Sequence, residues 1–403
     1  MKFTEELKLR GLIADMVNPE VLEKKLDNEK LTFYAGFDCT ADSLTLGHYF
    51  LITVFKRFQL QGHRPIVLIG GATTMIGDPS DRNDMRKMLT EETIDYNASR
   101  FREQLSKYID FSNDRAIFLN NKDWLLDLNF LDFVRTIGIN YNVSRMIHFD
   151  CYKNRLNNGL TFFEFSYMLM QGYDFLKLHK EYDCTLQLAG SDQWSNALGG
   201  LDLIKKMSDK EAFIMTIPLI TTSSGVKMGK SMGGALWLDP LKTSPYEIFQ
   251  YFRNTEDVSV ERFMKMLTFI PLDEIERITK EEDINKQKEI LAYEITKDIH
   301  GEEEAKKALE TARNLFGGKI DADNIPMFEI EDNFGDEIGL LNILTLSKLT
   351  TSNSEARTLI LQGGITIDDE KVDDTKMTIS RDVLKKGIVV KKGKKKFLKI
   401  IIK

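Results

Sequence analysis

Two short apolar runs, Leu31 to Phe37 and Arg64 to Gly70, each closed by glycine or turn residues, predict buried strands. Between them, Leu46 to Gln61 carries apolar residues at helical spacing. The three segments form a strand–helix–strand unit of the kind that builds a parallel sheet. Helical periodicity returns at Thr90–Ile109, Leu125–Ile137 and Phe162–Leu178, followed by a predicted strand at Cys184–Leu188 and a helix at Asp192–Lys206. This alternation predicts an α/β domain over residues 1–220, a Rossmann-like doubly wound parallel sheet whose ligands lie beyond the carboxyl ends of its strands. From Pro245 the pattern changes to charged helices with modest apolar faces, as in Tyr246–Arg253 and Lys286–Leu315, which predicts a small helical domain within 221–320. An acidic stretch with Pro326 predicts a linker at 321–338, and 339–403 begins helix-like and ends in β-like runs, as expected of a small α+β domain.

Composition narrows the class. A chain of 403 residues has room for two or three domains, and 42% hydrophobic with 29% charged residues describes an ordinary globular protein. The net charge of -7 excludes a surface basic throughout, so any grip on nucleic acid must come from local patches. Met1-Lys-Phe-Thr-Glu-Glu lacks the apolar core of a signal peptide, and no apolar run approaches bilayer-spanning length. Cys39, Cys151 and Cys184 are few, odd in number and widely spaced, which points to neither a disulfide framework nor a zinc site. The expectation is a cytoplasmic protein without membrane contact or a tightly bound, protein-ligated metal.

The candidate chemistry falls where the strands end. Leu46-Gly-His48 opens the helix after the first strand. There Gly47 lets a base or ribose approach backbone, and His48 with the hydroxyls of Thr40 and Thr45 can donate to phosphate oxygens at a helix N-terminus. Gly70-Gly-Ala-Thr-Thr-Met-Ile-Gly-Asp-Pro-Ser80 and Ala189-Gly-Ser-Asp-Gln-Trp194 are further loops following strands; Asp192 can accept from ribose hydroxyls, and Gln193 can reach a carboxylate or an α-phosphate oxygen. Ser224-Gly-Val-Lys-Met-Gly-Lys-Ser231 places Lys227 and Lys230 where they can meet β- and γ-phosphates. Its Gly225-to-Gly229 spacing is one residue too short for a Walker loop, and Met232-Gly-Gly-Ala is a poor helix start. Tyr167, Gln171 and Asp174 are spaced i, i+4 and i+7, so they share one helix face.

In order and spacing, Tyr34 to Leu44, Gly70 to Ser80, Phe165 to Asp174, Gly190 to Trp194 and Lys227 to Ser231 resemble the bacterial-type tyrosyl-tRNA synthetases, class I enzymes, over essentially the whole chain. The resemblance implies activation of tyrosine by ATP with Mg2+, transfer to a tRNA, and a homodimer. It implies that Tyr167, Gln171, Asp78 and Gln193 hold the amino acid, with Tyr34 and Asp174 reading a phenolic hydroxyl. It also implies that Gly36, Asp38, Gly47, Gly190 and Asp192 serve ATP together with Thr40, Thr45, His48, Lys227, Lys230 and Ser231. One departure stands out: Thr45 occupies the place of the family's first motif histidine, and Thr45→His is expected to leave activation equal or faster. Arg82 and Arg86 follow the Gly-Asp-Pro-Ser turn and fit either support of the lysine loop or a solvated helix face.

At the C-terminus, Ser352 to Ile367 and on to Val372 resembles a small RNA-binding module shared with a ribosomal protein, with a helix ending at Gly363-Gly364. The tail from Lys385 to Lys403 has no acidic residue and is dense in lysine, so Lys391 and Lys392 are candidate phosphate contacts, with Arg357 a further candidate from the module. Arg145, Lys153 and Arg155 form a weaker candidate patch for an acceptor stem. Two alternatives stay open on these residues: a tryptophan-specific relative with the same ATP motifs, and a synthetase-derived RNA-binding protein that no longer catalyses.

Overall fold

The computed structural model describes residues 1–78, 89–156, 159–208, 210–221, 230–231, 234–316, 327–393 and 396–403. Its chain divides into two compact units, the first comprising Met1–Lys230, Ala235–Asp239 and Glu256–Glu282.

The core of this unit is a six-stranded sheet built from β1 (Asp15–Met16), β2 (Thr32–Phe37), β3 (Arg64–Ile69), β4 (Ile117–Asn120), β5 (Cys184–Gly190) and β6 (Phe213–Ile217). The order is β1-β6-β5-β2-β3-β4, parallel except for the antiparallel edge strand β1. From β2 the chain runs outward to β3 and β4, then returns to β5 on the other side and continues to β6. The order therefore reverses between β2 and β5, where a doubly wound sheet opens a crevice at its carboxyl edge.

Alternation along β2 assigns its two faces. Phe33 and Phe37 meet Phe55 of the Leu46–Leu60 helix, with ring centroids 4.8 and 6.1 Å apart. Tyr34 points the other way, onto Phe175 of the Tyr167–Tyr182 helix at 5.2 Å. That second helix crosses Trp194–Met207 through glycines: a Cβ on Gly200 would lie 3.3 Å from the Gly172 Cα and 3.3 Å from Phe175. Gly200→Val is expected to cost about 1–3 kcal/mol by overpacking, read as a lower urea midpoint.

The helical run expected at Leu125–Ile137 is broken into Lys122–Leu125 and Phe130–Thr136, the second begun by Asn129, whose side chain accepts from the Leu131 and Asp132 amides. Helices Val260–Leu267 and Leu272–Thr279 belong to this first unit, inside the span expected for a separate helical domain. Arg10 explains part of this, since its guanidinium donates to the carbonyls of Lys265 and Ile270 at 3.1 and 2.9 Å while the Tyr49 hydroxyl donates to Leu267 O.

The second unit holds helices Pro245–Arg253, Ile284–His300 and Glu302–Phe316. The single run expected from Lys286 to Leu315 is two helices, because Gly301 takes a φ of +91° that ends the first. Beyond them a five-stranded sheet brings Met327–Ile330 parallel to the terminal strand Lys396–Ile402. The linker expected at 321–338 is corrected there: Phe328 and Ile330 pack on the domain's apolar core. Helix Asn353–Leu361 stops at Gly363 (φ +66°), with the Gly363 and Gly364 amides donating back to Ile360 O and Leu359 O.

Candidate active site

A cavity of about 370 Å³ opens at the β2/β5 reversal, lined from the ends of β2, β5 and β6, the start of the Leu46–Leu60 helix and the Tyr167–Tyr182 helix. Tyr34, Asp78, Tyr167, Gln171, Asp174 and Gln193 all line it, as do Gly36, Asp38, Gly47, His48, Gly190 and Asp192.

Its deep end is polar yet almost dry. Asp174 is 2% exposed, and its two oxygens accept from Asn121 Nδ2 at 2.9 Å and Trp124 Nε1 at 2.8 Å. Burial outweighs those two hydrogen bonds and pushes the carboxyl up to about 7. Tyr34, 1% exposed, has a buried hydroxyl without a hydrogen-bond partner, and burial and then the Asp174 charge raise its pKa well above the usual phenol value. Gln171 Oε1 is likewise buried and unpartnered. Such atoms are costly unless something pairs with them.

Nearer the sheet edge, Asp38 accepts from the Thr73 hydroxyl at 3.0 Å and the Tyr167 hydroxyl at 3.1 Å. Asn121 Nδ2 also donates to Thr73 Oγ1 at 3.1 Å, so one continuous network runs from Asp174 to Asp38. A Cβ on Gly70 would sit well inside contact distance of Asp38 Oδ1 and Thr73 Oγ1, so a side chain there must displace those two groups. On the β5 side, Asp78 accepts from Gln193 Nε2 at 2.6 Å and from Asn196 Nδ2 at 3.4 Å. Gly36 has no atom within 4 Å of where its Cβ would stand, which leaves the Tyr34 face of β2 open to the cavity.

At the helix start, the His48 Nδ1 lies 3.0 Å from both the Thr45 amide and the Thr45 hydroxyl. Thr40 is exposed, and neither it nor Thr45 is among the cavity-lining residues. Gly47 is exposed, with only Thr45 Oγ1 near its would-be Cβ, at 3.5 Å. The chain that leaves β6 also returns here: Leu46 N donates to Leu236 O, Leu238 N donates to Leu44 O, and the Asp239 carboxylate pairs with Arg100 at 2.9 Å. Lys227, Ser80, Arg82 and Arg86 lie outside the described residues, as do the side chains of Lys230, Ser231 and Arg155.

The basic candidates are disposed less simply. Arg145 pairs with Asp202 at 2.7 Å and Lys153 with Asp150, both pairs at the surface. Arg357 is exposed, and Lys391 stands 5.1 Å over the Phe397 ring. Lys392 is turned inward: it donates to Leu349 O at 2.7 Å and Glu355 at 2.8 Å, and its hydrogen bond is the leading cause holding the Glu355 carboxyl down at about 2.

Asn121, Trp124 and Thr73 were missed in the sequence. Asn121 and Trp124 reach Asp174 across about fifty positions of chain, and nothing in their spacing marks that contact.

Comparison with known proteins gives a consistent set of likenesses. A family profile described as tRNA synthetases class I (W and Y) matches residues 25–317, and one described as the tyrosine–tRNA ligase SYY-like C-terminal domain matches 319–400. The chain is 52% identical over 393 residues to a tyrosine–tRNA ligase of Lachnoclostridium phytofermentans, covering 96% of each sequence. It is 49% identical over 403 residues to tyrosine–tRNA ligase 1 of Clostridium acetobutylicum, covering 99% of this chain and 98% of that one. Among solved structures, a C-terminally truncated mitochondrial tyrosyl-tRNA synthetase of Aspergillus nidulans superposes with a TM-score of 0.70 at 32% identity, covering 78% of this chain and 94% of that one.

Proposed function

The chain belongs to the class I tRNA synthetases of the tryptophan and tyrosine group, and from that membership we propose how its cavity joins tyrosine to ATP and then to tRNA. The enzyme is a tyrosine–tRNA ligase in its chemistry: the tyrosine carboxylate attacks the α-phosphate in line, giving tyrosyl-adenylate and pyrophosphate, and a terminal ribose hydroxyl of the tRNA then takes the tyrosyl group. The single observation that favours tyrosine is the deep end of the cavity, where an unpartnered buried hydroxyl stands beside a buried carboxylate. A phenol inserted between Tyr34 and Asp174 donates to the carboxylate and accepts from the hydroxyl; a phenylalanine ring leaves both unpaired.

The ammonium group is met by Asp78, Tyr167 and Gln171, with Gln193 beside them. ATP lies toward Gly36, Asp38, Gly47, His48, Gly190 and Asp192. Lys227 and Lys230 serve the β- and γ-phosphates and stabilise departing pyrophosphate, with Ser231 and Thr40 as further catalytic candidates. Activation needs no protein nucleophile, because alignment and charge stabilisation supply the rate. Among the described residues there is no cluster of three His, Cys, Asp or Glu suited to a metal. Mg2+ enters with the nucleotide, held chiefly by its phosphates.

The C-terminal module, with Arg357 and Lys391, takes the tRNA alongside Arg145, Lys153 and Arg155. No helix among the described residues is long and apolar enough to cross a membrane; the cytoplasm is proposed as the working compartment from the translation chemistry of the family. A homodimer is supported by large apolar side chains left exposed between residues 126 and 143: Phe130 at 64%, Leu131 at 73%, Ile139 at 78% and Val143 at 58%. Leu131→Glu is expected to halve the mass measured by sedimentation.

ATP–pyrophosphate exchange with tyrosine, tryptophan and phenylalanine tests the assignment. Exchange with tyrosine alone is expected; exchange with tryptophan in its place, or RNA binding without any exchange, overturns it.

A further inference from the structure

Thr45 begins the Leu46–Leu60 helix as its N-cap residue, with extended backbone angles, and His48 is the third residue inside. The imidazole folds back over the cap: its Nδ1 lies 3.0 Å from the Thr45 amide nitrogen and 3.0 Å from the Thr45 hydroxyl. A backbone amide can only donate, so Nδ1 must present its lone pair. A neutral imidazole whose Nδ1 accepts carries its proton on Nε2. Burial among neighbours that include the Phe37 and Phe101 rings, 6.2 and 5.7 Å away, favours the neutral ring and lowers its pKa to about 4. His48 lines the cavity and Thr45 does not.

We infer that Thr45 acts on the reaction through His48, as a positioning residue: amide and hydroxyl together fasten Nδ1, so the ring serves the nucleotide as a fixed Nε2–H donor. The Thr45 hydroxyl is therefore spent on the imidazole and not on a phosphate. This rests on the aminoacylation reading of the cavity and deepens it. It also reverses the expectation for Thr45→His, which removes the hydroxyl that secures the ring and is expected to slow activation.

The test has two independent parts. In the full-length protein, ¹⁵N NMR of labelled histidines at neutral pH is expected to show His48 as the Nε2–H tautomer with Nδ1 accepting a hydrogen bond, with His48→Gln used to assign the resonance. A cationic ring or an Nδ1–H tautomer overturns the inference, whether or not the enzyme turns over. In pyrophosphate exchange, Thr45→Val keeps the shape and the amide but loses the hydroxyl. Its kcat/KM for ATP is expected to fall about three- to tenfold, the range for one lost hydrogen bond, while the KM for tyrosine stays within about twofold. Thr45→Ser is expected to restore most of that loss. An unchanged Thr45→Val enzyme, an equal loss on the tyrosine side, or a serine variant as poor as valine contradicts the positioning role. Absence of tyrosine-dependent exchange in the unmodified enzyme instead defeats the functional reading and leaves the tautomer result standing. If Thr45→Val does not fold, Thr45→Ser and the tautomer measurement still decide.

Discussion

Asp174→Asn is expected to lower kcat/KM for tyrosine in pyrophosphate exchange by about 10²–10³. The carboxylate accepts from Asn121 on one oxygen and Trp124 on the other. An amide of the same shape offers one acceptor and one NH₂, so one of those two donors faces another donor in a site that is 2% exposed. Each buried group left unpaired costs about 1–3 kcal/mol, and the substrate phenol loses its charged acceptor as well. Together these reach about 3–4 kcal/mol, or two to three powers of ten in rate. The KM for ATP is expected to change less, because Asp38 on the nucleotide side is reached from Asp174 only through Asn121 and Thr73.

The same residue gives a pH signature. Burial holds the Asp174 carboxyl at about 7 in the free enzyme. With the ionised form as the acceptor, kcat/KM for tyrosine should rise as pH increases through about 7, and the Asn variant should lose that rise. For stability the sign is the reverse: a carboxyl whose folded pKa is raised contributes fully below its unfolded value, and that contribution is lost as pH climbs through about 7. Bound tyrosine should offset part of this, so the gain in thermal midpoint on adding tyrosine should be greater at pH 8 than at pH 6.

Gly70→Ala is the second large effect, expected at about 10² on kcat/KM for both tyrosine and ATP. The new methyl group occupies space held by Asp38 Oδ1 and Thr73 Oγ1. Asp38 must then swing away from the hydroxyls of Thr73 and Tyr167, and the network that continues through Asn121 to Asp174 is displaced with it. A shift of about 1 Å in positioning groups costs about a hundredfold where alignment supplies the rate. Circular dichroism unchanged from the parent, with kcat lowered in step with kcat/KM, would mark the loss as one of alignment.

Much of this layout was legible in the sequence because it follows from periodicity. The i, i+4, i+7 spacing put Tyr167, Gln171 and Asp174 on one helix face, and all three line the cavity. Strand alternation in Thr32–Phe37 set Tyr34 on that same side, against Phe175. Other features were hidden for physical reasons. Lys286–Leu315 reads as one amphipathic run, and only the positive φ of Gly301 divides it. Met327–Ile330 sits in an acidic stretch and becomes a strand only because the terminal strand, some seventy positions later, offers it a parallel edge. Asn121 and Trp124 are polar and aromatic residues in a four-residue helix and its cap, with no local sign of a distant carboxylate. Lys392 belongs to a lysine-rich tail, yet its ammonium group is held by Leu349 O and Glu355 within the domain. Long-range partners of this kind are set by the sheet order, which no local pattern encodes.

A crystal structure of the full chain with bound L-tyrosine tests the central claim most directly. The phenolic oxygen is expected within hydrogen-bond distance of both the Tyr34 hydroxyl and the Asp174 carboxylate, with the ammonium group toward Asp78, Tyr167 and Gln171. Density for the ring away from Tyr34 and Asp174, or a reversed amino acid with its ammonium group at that deep end, would contradict it.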